Sequence, residues 1–256
     1  MKKALFLLLF SFSPLLAYDE FAAYTIPKSG SHLLDCTLRL MTNRANFFYI
    51  PPRSVQSLEV LADRIHYLHS INRYEMSHLP YDAKEDSFRR ALNCKIFFNI
   101  RDPRDVTLSF VDYIDKGAVI EGAERQRWNL LSRNQKISYV LEKVHGVGIY
   151  TFIQSRLSWM DSPQTLVVKF ENLVGEKGGG SNELQRTELQ KIAHHIGLQL
   201  TDQKLEFVGQ NLFGWGGTFN KGLIGRWKEE FTPEHIALSN QLFKDLYSRL
   251  GYELAP

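Results

Sequence analysis

Apolar and polar positions along the chain form two kinds of segment: short apolar runs, and longer stretches in which apolar residues recur every three or four positions. The short runs predict three β-strands, EFAAYTIP (20–27), CKIFFNI (94–100) and QTLVVKF (164–170). CKIFFNI is apolar almost throughout, which is typical of a strand buried on both faces of a sheet. These three runs are the expected centre of the fold.

Helical spacing fills the segments between and after the strands. The patterns cover residues 31–44, 101–114, 131–147, 149–160, 182–197 and 233–250. Asp102 is placed to cap the second of these helices, with Pro103 in its first turn, and Gly197 is placed to end the fifth. Strands separated by helices predict an α/β fold with a central parallel sheet and helices on both faces.

Ligands of such sheets bind beyond the carboxyl ends of the strands. PKSGSH (27–32) follows the first predicted strand, and RDPRD (101–105) follows the second. Because the carboxyl ends of parallel strands share one edge of the sheet, we expect both segments at the same crevice.

The first 17 residues, MKKALFLLLFSFSPLLA, differ from the rest of the chain. Two lysines, an apolar run and the small residue Ala17 at a cleavage position predict a secretory signal peptide over 1–17, with a buried N-terminal strand as the alternative. The run is too short, and too interrupted by polar residues and a proline, for a transmembrane helix. One domain over 18–256 and no stable membrane span after signal removal are therefore expected.

Composition narrows the ligand class. The hydrophobic and charged fractions, 44% and 23%, are ordinary for a globular protein. A net charge of +3 is too small to indicate nucleic acid binding and is compatible with an anionic small ligand. The two cysteines, Cys36 and Cys94, form neither a disulfide framework nor a metal-binding pattern, so no metal is expected.

The turn in YTIPKSGSHLL is the first candidate site. It has the order strand, Pro/Gly turn, helix, but it lacks the GxxxxGK[ST] phosphate loop because its lysine precedes the glycine. Lys28 and the backbone amides of Ser29, Gly30, Ser31 and His32 are predicted to face an anion at the helix N-terminus. A simple strand-to-helix turn without a ligand is the alternative.

Arg101 and Ser109 form the second candidate site. Arg101 follows a buried strand, and Ser109 lies eight residues later on the next helix, so both side chains are expected to face one crevice. A guanidinium and a hydroxyl are suitable phosphate ligands. The alternative is a structural ion pair between Arg101 and Asp102 or Asp105.

Two later candidates are weaker in isolation. Lys221 and Gly222, in TFNKGLIGRWKEEFTPEHI (218–236), have the form of a phosphate-binding loop, although a solvated basic loop has the same composition. His78 in YEMSHLPYD ends a short extended segment and is the best candidate for a general base, because imidazole takes a proton near neutral pH. A lone histidine can equally be structural.

Taken in order, these motifs resemble the sulfotransferases that use 3′-phosphoadenosine 5′-phosphosulfate (PAPS). That family has a loop similar to PKSGTTW, which here is PKSGSHL, and an arginine and serine eight apart, matched by RDPRDVTLS. Its THLP-like segment is matched by SHLP, and its late RKGxxGDWKxxFT by NKGLIGRWKEEFT. The resemblance spans nearly the whole chain after residue 20.

The resemblance implies a P-loop-like three-layer α/β/α fold and a metal-free transfer of a sulfuryl group from PAPS. By it, Lys28 and the four amides hold the 5′-phosphosulfate, and the 3′-phosphate ligands are Arg101, Ser109, Lys221 and Gly222. His78 deprotonates a hydroxyl or amine of a small-molecule or glycan acceptor, which attacks sulfur in line. Residues 46–54 and 111–128 are expected to line the acceptor site.

Three departures from the family pattern concern the nucleotide. Leu33 replaces an adenine-stacking tryptophan, Phe170 takes a position where a tyrosine often holds adenine, and Asn220 replaces an arginine. None of them affects Lys28 or His78, so an active enzyme is expected.

Two other functions stay open at this point: a P-loop-type nucleotide-binding kinase, and an exported binding protein of the same fold without turnover. The signal-like N-terminus predicts export, whereas PAPS use predicts action in a PAPS-containing compartment.

Overall fold

A computed structural model describes residues 19–48, 57–146, 148–214, 216 and 219–256. The predicted signal peptide (1–17) and most of the predicted acceptor segment 46–54 lie outside the described residues.

Five parallel strands form the central sheet, in the order β2-β3-β1-β4-β5. Their bounds are β1 Phe21–Thr25, β2 Ala45–Phe48, β3 Arg73–Ser77, β4 Lys95–Ile100 and β5 Thr165–Lys169. The three predicted strands are confirmed as β1, β4 and β5, and the extended segment before His78 is β3. The sequence pattern missed β2, a four-residue edge strand without a buried side chain.

Twelve helices connect and cover the strands within the described ranges. They are α1 Ser31–Thr42, α2 Leu58–Ser70, α3 Ala83–Ala91, α4 Pro103–Asp115, α5 Gly122–Leu130, α6 Arg133–Glu142, α7 Gly148–Gln154, α8 Phe170–Leu173, α9 Asn182–His195, α10 Asp202–Gln210, α11 Trp227–Glu230 and α12 Pro233–Leu250. None of the helices described is long and apolar enough to cross a membrane.

The residues predicted to begin α4 and to end α9 are confirmed, whereas the helix predicted over 131–147 ends earlier, at Glu142. Asp102 caps α4 by accepting a hydrogen bond from the amide of Arg104, with Pro103 in the first turn, and Gly197 follows α9 with φ 73°. The prediction of one helix over 149–160 is wrong, because α7 ends at Gln154 and a separate 3-10 turn covers Leu157–Asp161. Between them, the guanidinium of Arg156 donates to the carbonyl of Phe152, which removes an acceptor from continued helix.

Two hydrophobic cores lie on opposite faces of the sheet. Ala22 and Tyr24 of β1 pack into one core, with α4, α6, α7 and α12, while Phe21 and Ala23 pack into the other, with α1, α9 and α10. Alternate side chains of a strand point to opposite faces, so both faces of β1 are buried. The result is the three-layer α/β/α fold expected from the sequence.

Parallel pairing brings the predicted site segments to one edge. The loop to α1 follows the carboxyl end of β1, His78 follows that of β3, Arg101 that of β4 and Phe170 that of β5. The sheet therefore places four distant parts of the chain around one crevice.

Candidate active site

The loop between β1 and α1 requires a glycine at position 30. Gly30 has φ 99°, and a Cβ atom built there would lie 2.5 Å from Cδ2 of Phe170. Lys28 also adopts a left-handed backbone, with φ 68°, which is unusual for a residue with a side chain. The turn is therefore held in a conformation that its neighbours impose.

Ser29 points away from the crevice, which corrects one prediction. Its amide donates to the carbonyl of Ile26 (3.0 Å), and its hydroxyl donates to the carbonyls of Ile26 (2.6 Å) and Asn99 (3.1 Å). Asn99 in turn donates from Nδ2 to the carbonyl of Ser29 (2.7 Å). The Ser29 amide is thus engaged within the turn. The pairing of Ser29 with Asn99 joins the loop to β4.

The other three predicted amides lie at the start of α1. The first hydrogen bond of this helix is donated by Leu33 to the carbonyl of Gly30 (2.9 Å). The amides of Gly30, Ser31 and His32 precede that bond and belong to the helix end that lacks intrahelical acceptors. They form a site suited to an anion.

A cavity of about 490 Å³ opens at this edge of the sheet. Ten of the eleven predicted site residues line it, all except Ser29: Lys28, Gly30, Ser31, His32, His78, Arg101, Ser109, Phe170, Lys221 and Gly222. The structure thus brings five separate sequence segments to one cavity.

The ammonium group of Lys28 is partly buried beside an aromatic ring and other cations. Its Nζ is 4.1 Å from the ring centroid of Tyr113. Burial, together with the nearby cations Lys116 and Arg101, lowers the pKa of Lys28 to about 8. An anion bound beside it would relieve this repulsion and favour the charged ammonium.

His78 is held as a neutral imidazole. Its Nδ1 lies 3.1 Å from the carbonyl oxygen of Thr25 and 2.7 Å from Thr25 Oγ1. Because a carbonyl only accepts, we assign the ring proton to Nδ1, which leaves the lone pair on Nε2. Burial lowers the pKa of His78 to about 4, and the charges of Arg156 and Lys28 act in the same direction.

Arg156 and Phe48 also contact His78. Nε of Arg156 donates to the His78 carbonyl (2.8 Å). Thr25, which contacts His78 Nδ1, links it to the anion-binding turn, because Thr25 Oγ1 is 2.8 Å from Ser31 Oγ. The ring of Phe48 meets that of His78 edge-on at 4.9 Å between centroids. Sequence reasoning missed Arg156, since 78 positions separate it from its partner.

Arg101 occupies the other end of the cavity. Its guanidinium stacks on the ring of Phe170 (4.2 Å to the centroid), and Nη2 donates to the carbonyl of Leu223 (2.7 Å). The alternative ion pair with Asp105 is also present, at a long 3.8 Å, whereas Asp102 pairs with Arg104. Arg101 thus faces the cavity and also contacts residues 219–226, which we call the late loop.

Two aspartates of α4 hold the late loop in place. Asp105 accepts from the amides of Gly225 (2.7 Å) and Trp227 (3.2 Å). Asp112 accepts from Asn220 Nδ2 and from Arg226 Nη1 (2.9 Å). These aspartates lie four residues before and three after the predicted Ser109, hence on one helix face, a spacing that could have identified them.

The charged residues of the described cavity wall are all of one sign. Among the described residues that line it, Lys28, Arg101, Lys221 and Arg226 are cationic and none is acidic. Aromatic rings, including Phe48, complete much of the remaining wall. Within the described ranges, no three His, Cys, Asp or Glu side chains group as a metal site would require. The arrangement is suited to an anion with an apolar part.

A family model for the sulfotransferase domain matches residues 19–251. The chain belongs to the sulfotransferase family. The match includes all four motifs on which the resemblance rested.

Two curated relatives from Cavia porcellus are similar to this sulfotransferase over most of its length. The 3-beta-hydroxysteroid sulfotransferase is 23% identical over 272 residues, covering 93% of this chain and 87% of the relative. The 3-alpha-hydroxysteroid sulfotransferase is 22% identical over 261 residues, covering 89% and 83%. The similarity thus extends well beyond the motifs.

Solved structures show the same fold. Mouse sulfotransferase SULT7A1, complexed with PAP, has a TM-score of 0.62 at 18% identity, covering 90% of this sulfotransferase and 84% of that chain. Retinol dehydratase, in complex with androsterone and the inactive cofactor PAP, has a TM-score of 0.59 at 14% identity, covering 93% and 82%. At these identities the likeness supports the fold alone.

Proposed function

We propose that this sulfotransferase transfers a sulfuryl group from PAPS to a hydroxyl or amine of a small, largely apolar acceptor. The observation that supports this most strongly is the cavity. It joins the Lys28 loop, His78 and the Arg101–Ser109 pair in one space whose described wall carries cations and no acid.

The two ends of the cavity suit the two ends of PAPS. Lys28 and the amides at the start of α1 would hold the 5′-phosphosulfate, where the helix dipole also favours negative charge. Arg101, Ser109, Lys221 and Gly222 would hold the 3′-phosphate. PAP is what PAPS becomes after losing its sulfuryl group, and both solved neighbours are complexes with PAP, which supports this donor.

His78 is proposed as the general base. Its neutral Nε2 takes the proton of the acceptor, whose oxygen or nitrogen then forms a bond to sulfur while the bond between sulfur and the bridging phosphate oxygen breaks. Lys28 stabilises the charge that collects on that oxygen. As in phosphoryl transfer, positioning and charge stabilisation do most of the catalysis.

The acceptor class is inferred from the aromatic part of the cavity wall. Phe48, Phe110 and Tyr113 line the cavity, so a planar or apolar molecule would be well accommodated. The names of the relatives, which are hydroxysteroid sulfotransferases, support an apolar alcohol.

The test is transfer of labelled sulfate from PAPS to phenols, alcohols, amines, glycans and tyrosyl peptides. We expect transfer to at least one apolar hydroxyl compound, and His78→Ala should lose most of that activity. Transfer by His78→Ala at the wild-type rate would refute the base while leaving the donor assignment intact. Binding of PAPS without transfer to any acceptor would favour a binding protein.

Phosphoryl transfer from ATP is the competing reaction. A kinase holds Mg²⁺ with a carboxylate near the phosphates, and none of the described lining residues is a carboxylate. We therefore expect no transfer from labelled ATP to the same panel, and transfer from ATP but not PAPS would overturn the proposal.

A further inference from the structure

Arg226 is a cavity residue to which the sequence motifs assign no role. It lies directly before α11, is 7% exposed and lines the same cavity as Arg101 and Ser109. The family pattern RKGxxGDWK has an aspartate at the place of Arg226 and an arginine at the place of Asn220. The family pattern thus has its cation at the first of these two positions, and this chain has its cation at the second.

The structure places these two side chains side by side. Asn220 Nδ2 and Arg226 Nη1 donate to the same atom, Oδ2 of Asp112. Two donors that share one oxygen lie next to each other, so a guanidinium carried by position 226 ends where the side chain of position 220 ends. Although the cation is six positions later in the sequence than in the family pattern, it lies in nearly the same part of the structure.

Arg226 also retains capacity to bind an anion. Its Nε is buried and has no hydrogen-bond partner among the described residues, and the same is true of Nε of Arg101. A buried donor without an acceptor is unfavourable, so an anion that accepts from it is favoured. Arg101 and Arg226 line the same cavity; burial lowers the pKa of Arg101, and the positive charge of Arg226 acts in the same direction.

The carboxylates beside Arg226 do not depend on it alone for charge compensation. Asp112 and Glu230 accept from Nη1 and Nη2 of Arg226 (2.9 Å and 2.6 Å), and both also pair with Arg133, at 2.8 Å and 2.6 Å. Arg133 is absent from the described cavity lining. Two arginines therefore face two carboxylates, and only one of the arginines is placed to reach a ligand.

We propose that Arg226 is a ligand of the 3′-phosphate and supplies the cation that Asn220 lacks. This inference rests on the proposed function, because it presumes a 3′-phosphorylated nucleotide in the cavity. It makes Arg226 a residue that selects this nucleotide over one that lacks the 3′-phosphate.

The test compares two nucleotides on the full chain by calorimetry. PAP carries the 3′-phosphate, and 5′-AMP does not. We expect Arg226→Gln to weaken PAP binding by about 10-fold to 100-fold, the range for a charge-assisted contact, and to change 5′-AMP binding less than about twofold. Arg133→Gln is the matched control, since it breaks pairs with the same two carboxylates without touching the cavity, and it should leave both affinities unchanged.

A second variant separates a ligand role from a structural one. Adding Asn220→Arg to Arg226→Gln returns a cation to the same part of the wall and should recover most of the lost PAP affinity. Equal PAP affinity of the wild type and Arg226→Gln would overturn the inference, as would parallel losses for both nucleotides or absence of recovery. If the wild type itself binds PAP no better than 5′-AMP, the donor assignment under the proposed function fails instead.

Discussion

The turn at Lys28–Ser31 and the late loop at 219–226 both bring a lysine and backbone to one cavity, but they are held in different ways. The turn is held by short hydrogen bonds of Ser29 and Asn99 and by the ring of Phe170 beside Gly30. The late loop is held by two carboxylates of α4, Asp105 and Asp112.

This difference separates two tasks. Neutral backbone contacts fix the end of the cavity where the sulfuryl group would react, so that its geometry changes little with pH or salt. Charged contacts fix the end where the 3′-phosphate would bind, and the same groups that hold the loop also set the local charge. Variants at the first end should therefore change the rate, and variants at the second end should change nucleotide affinity.

The largest effect is expected at Lys28. Lys28→Met should lower kcat by about 10²-fold to 10³-fold, because it removes a charge that acts on the breaking bond. Steady-state kinetics with PAPS and the best acceptor measures this. Lys116→Met is the control, since Lys116 is a nearby cation outside the described cavity lining, and it should retain wild-type kcat. Similar losses in both variants would contradict a specific role for Lys28.

Asp105 tests the other end. Asp105→Asn places an amide where the carboxylate accepts from two backbone amides, so the late loop loses an anchor. We expect the KM for PAPS to rise about tenfold while kcat at saturating PAPS changes little. Asp115→Asn on the same helix is the control, because its partners, Trp128, Arg133 and Lys136, are outside the described cavity lining, and it should behave as wild type. A fall in kcat without a change in KM would contradict the assignment of nucleotide affinity to the late loop.

The rigidity of the turn can be measured through Gly30. Gly30→Ala should lower the free energy of unfolding by about 1–3 kcal/mol more than Gly117→Ala, as judged by urea denaturation. Both glycines have a left-handed backbone, with φ 99° and 95°, but a Cβ at Gly117 meets nothing within 4 Å. The pair isolates the contact with Phe170. Equal losses would mean that Phe170 moves aside without strain.

The smallest effects concern pH. The proposed base must be neutral, so kcat/KM should fall as the pH drops through the pKa of His78, which is about 4, rather than near 6.5. The proposed lysine must be charged, so kcat/KM should also fall as the pH rises through about 8. Lys116→Met should move this upper limit to higher pH, because it removes a cation that lowers the pKa of Lys28. An acid limit at about 6.5 would show that burial does not control His78.

Part of the site was predictable because its signals are local. The order strand, Pro/Gly turn, helix identified the turn, and Asp102 followed by Pro103 marked the start of α4. The side to which Ser29 points was not predictable, since it depends on Asn99, which is 70 residues away. The edge strand β2 was missed because it is only four residues long and none of its side chains is buried.

The sequence by itself determined the strands β1, β4 and β5, the helices α1 and α4, the order of the motifs and the family, because periodicity, caps and turns depend on neighbouring residues. Only the tertiary structure decided which groups meet. Asp105 contacts Gly225 from 120 positions away, and Asp112 joins Asn220 to Arg226 across a similar distance. Contacts at such separations are set by the packing of α4 against the late loop and leave no periodic trace along the chain.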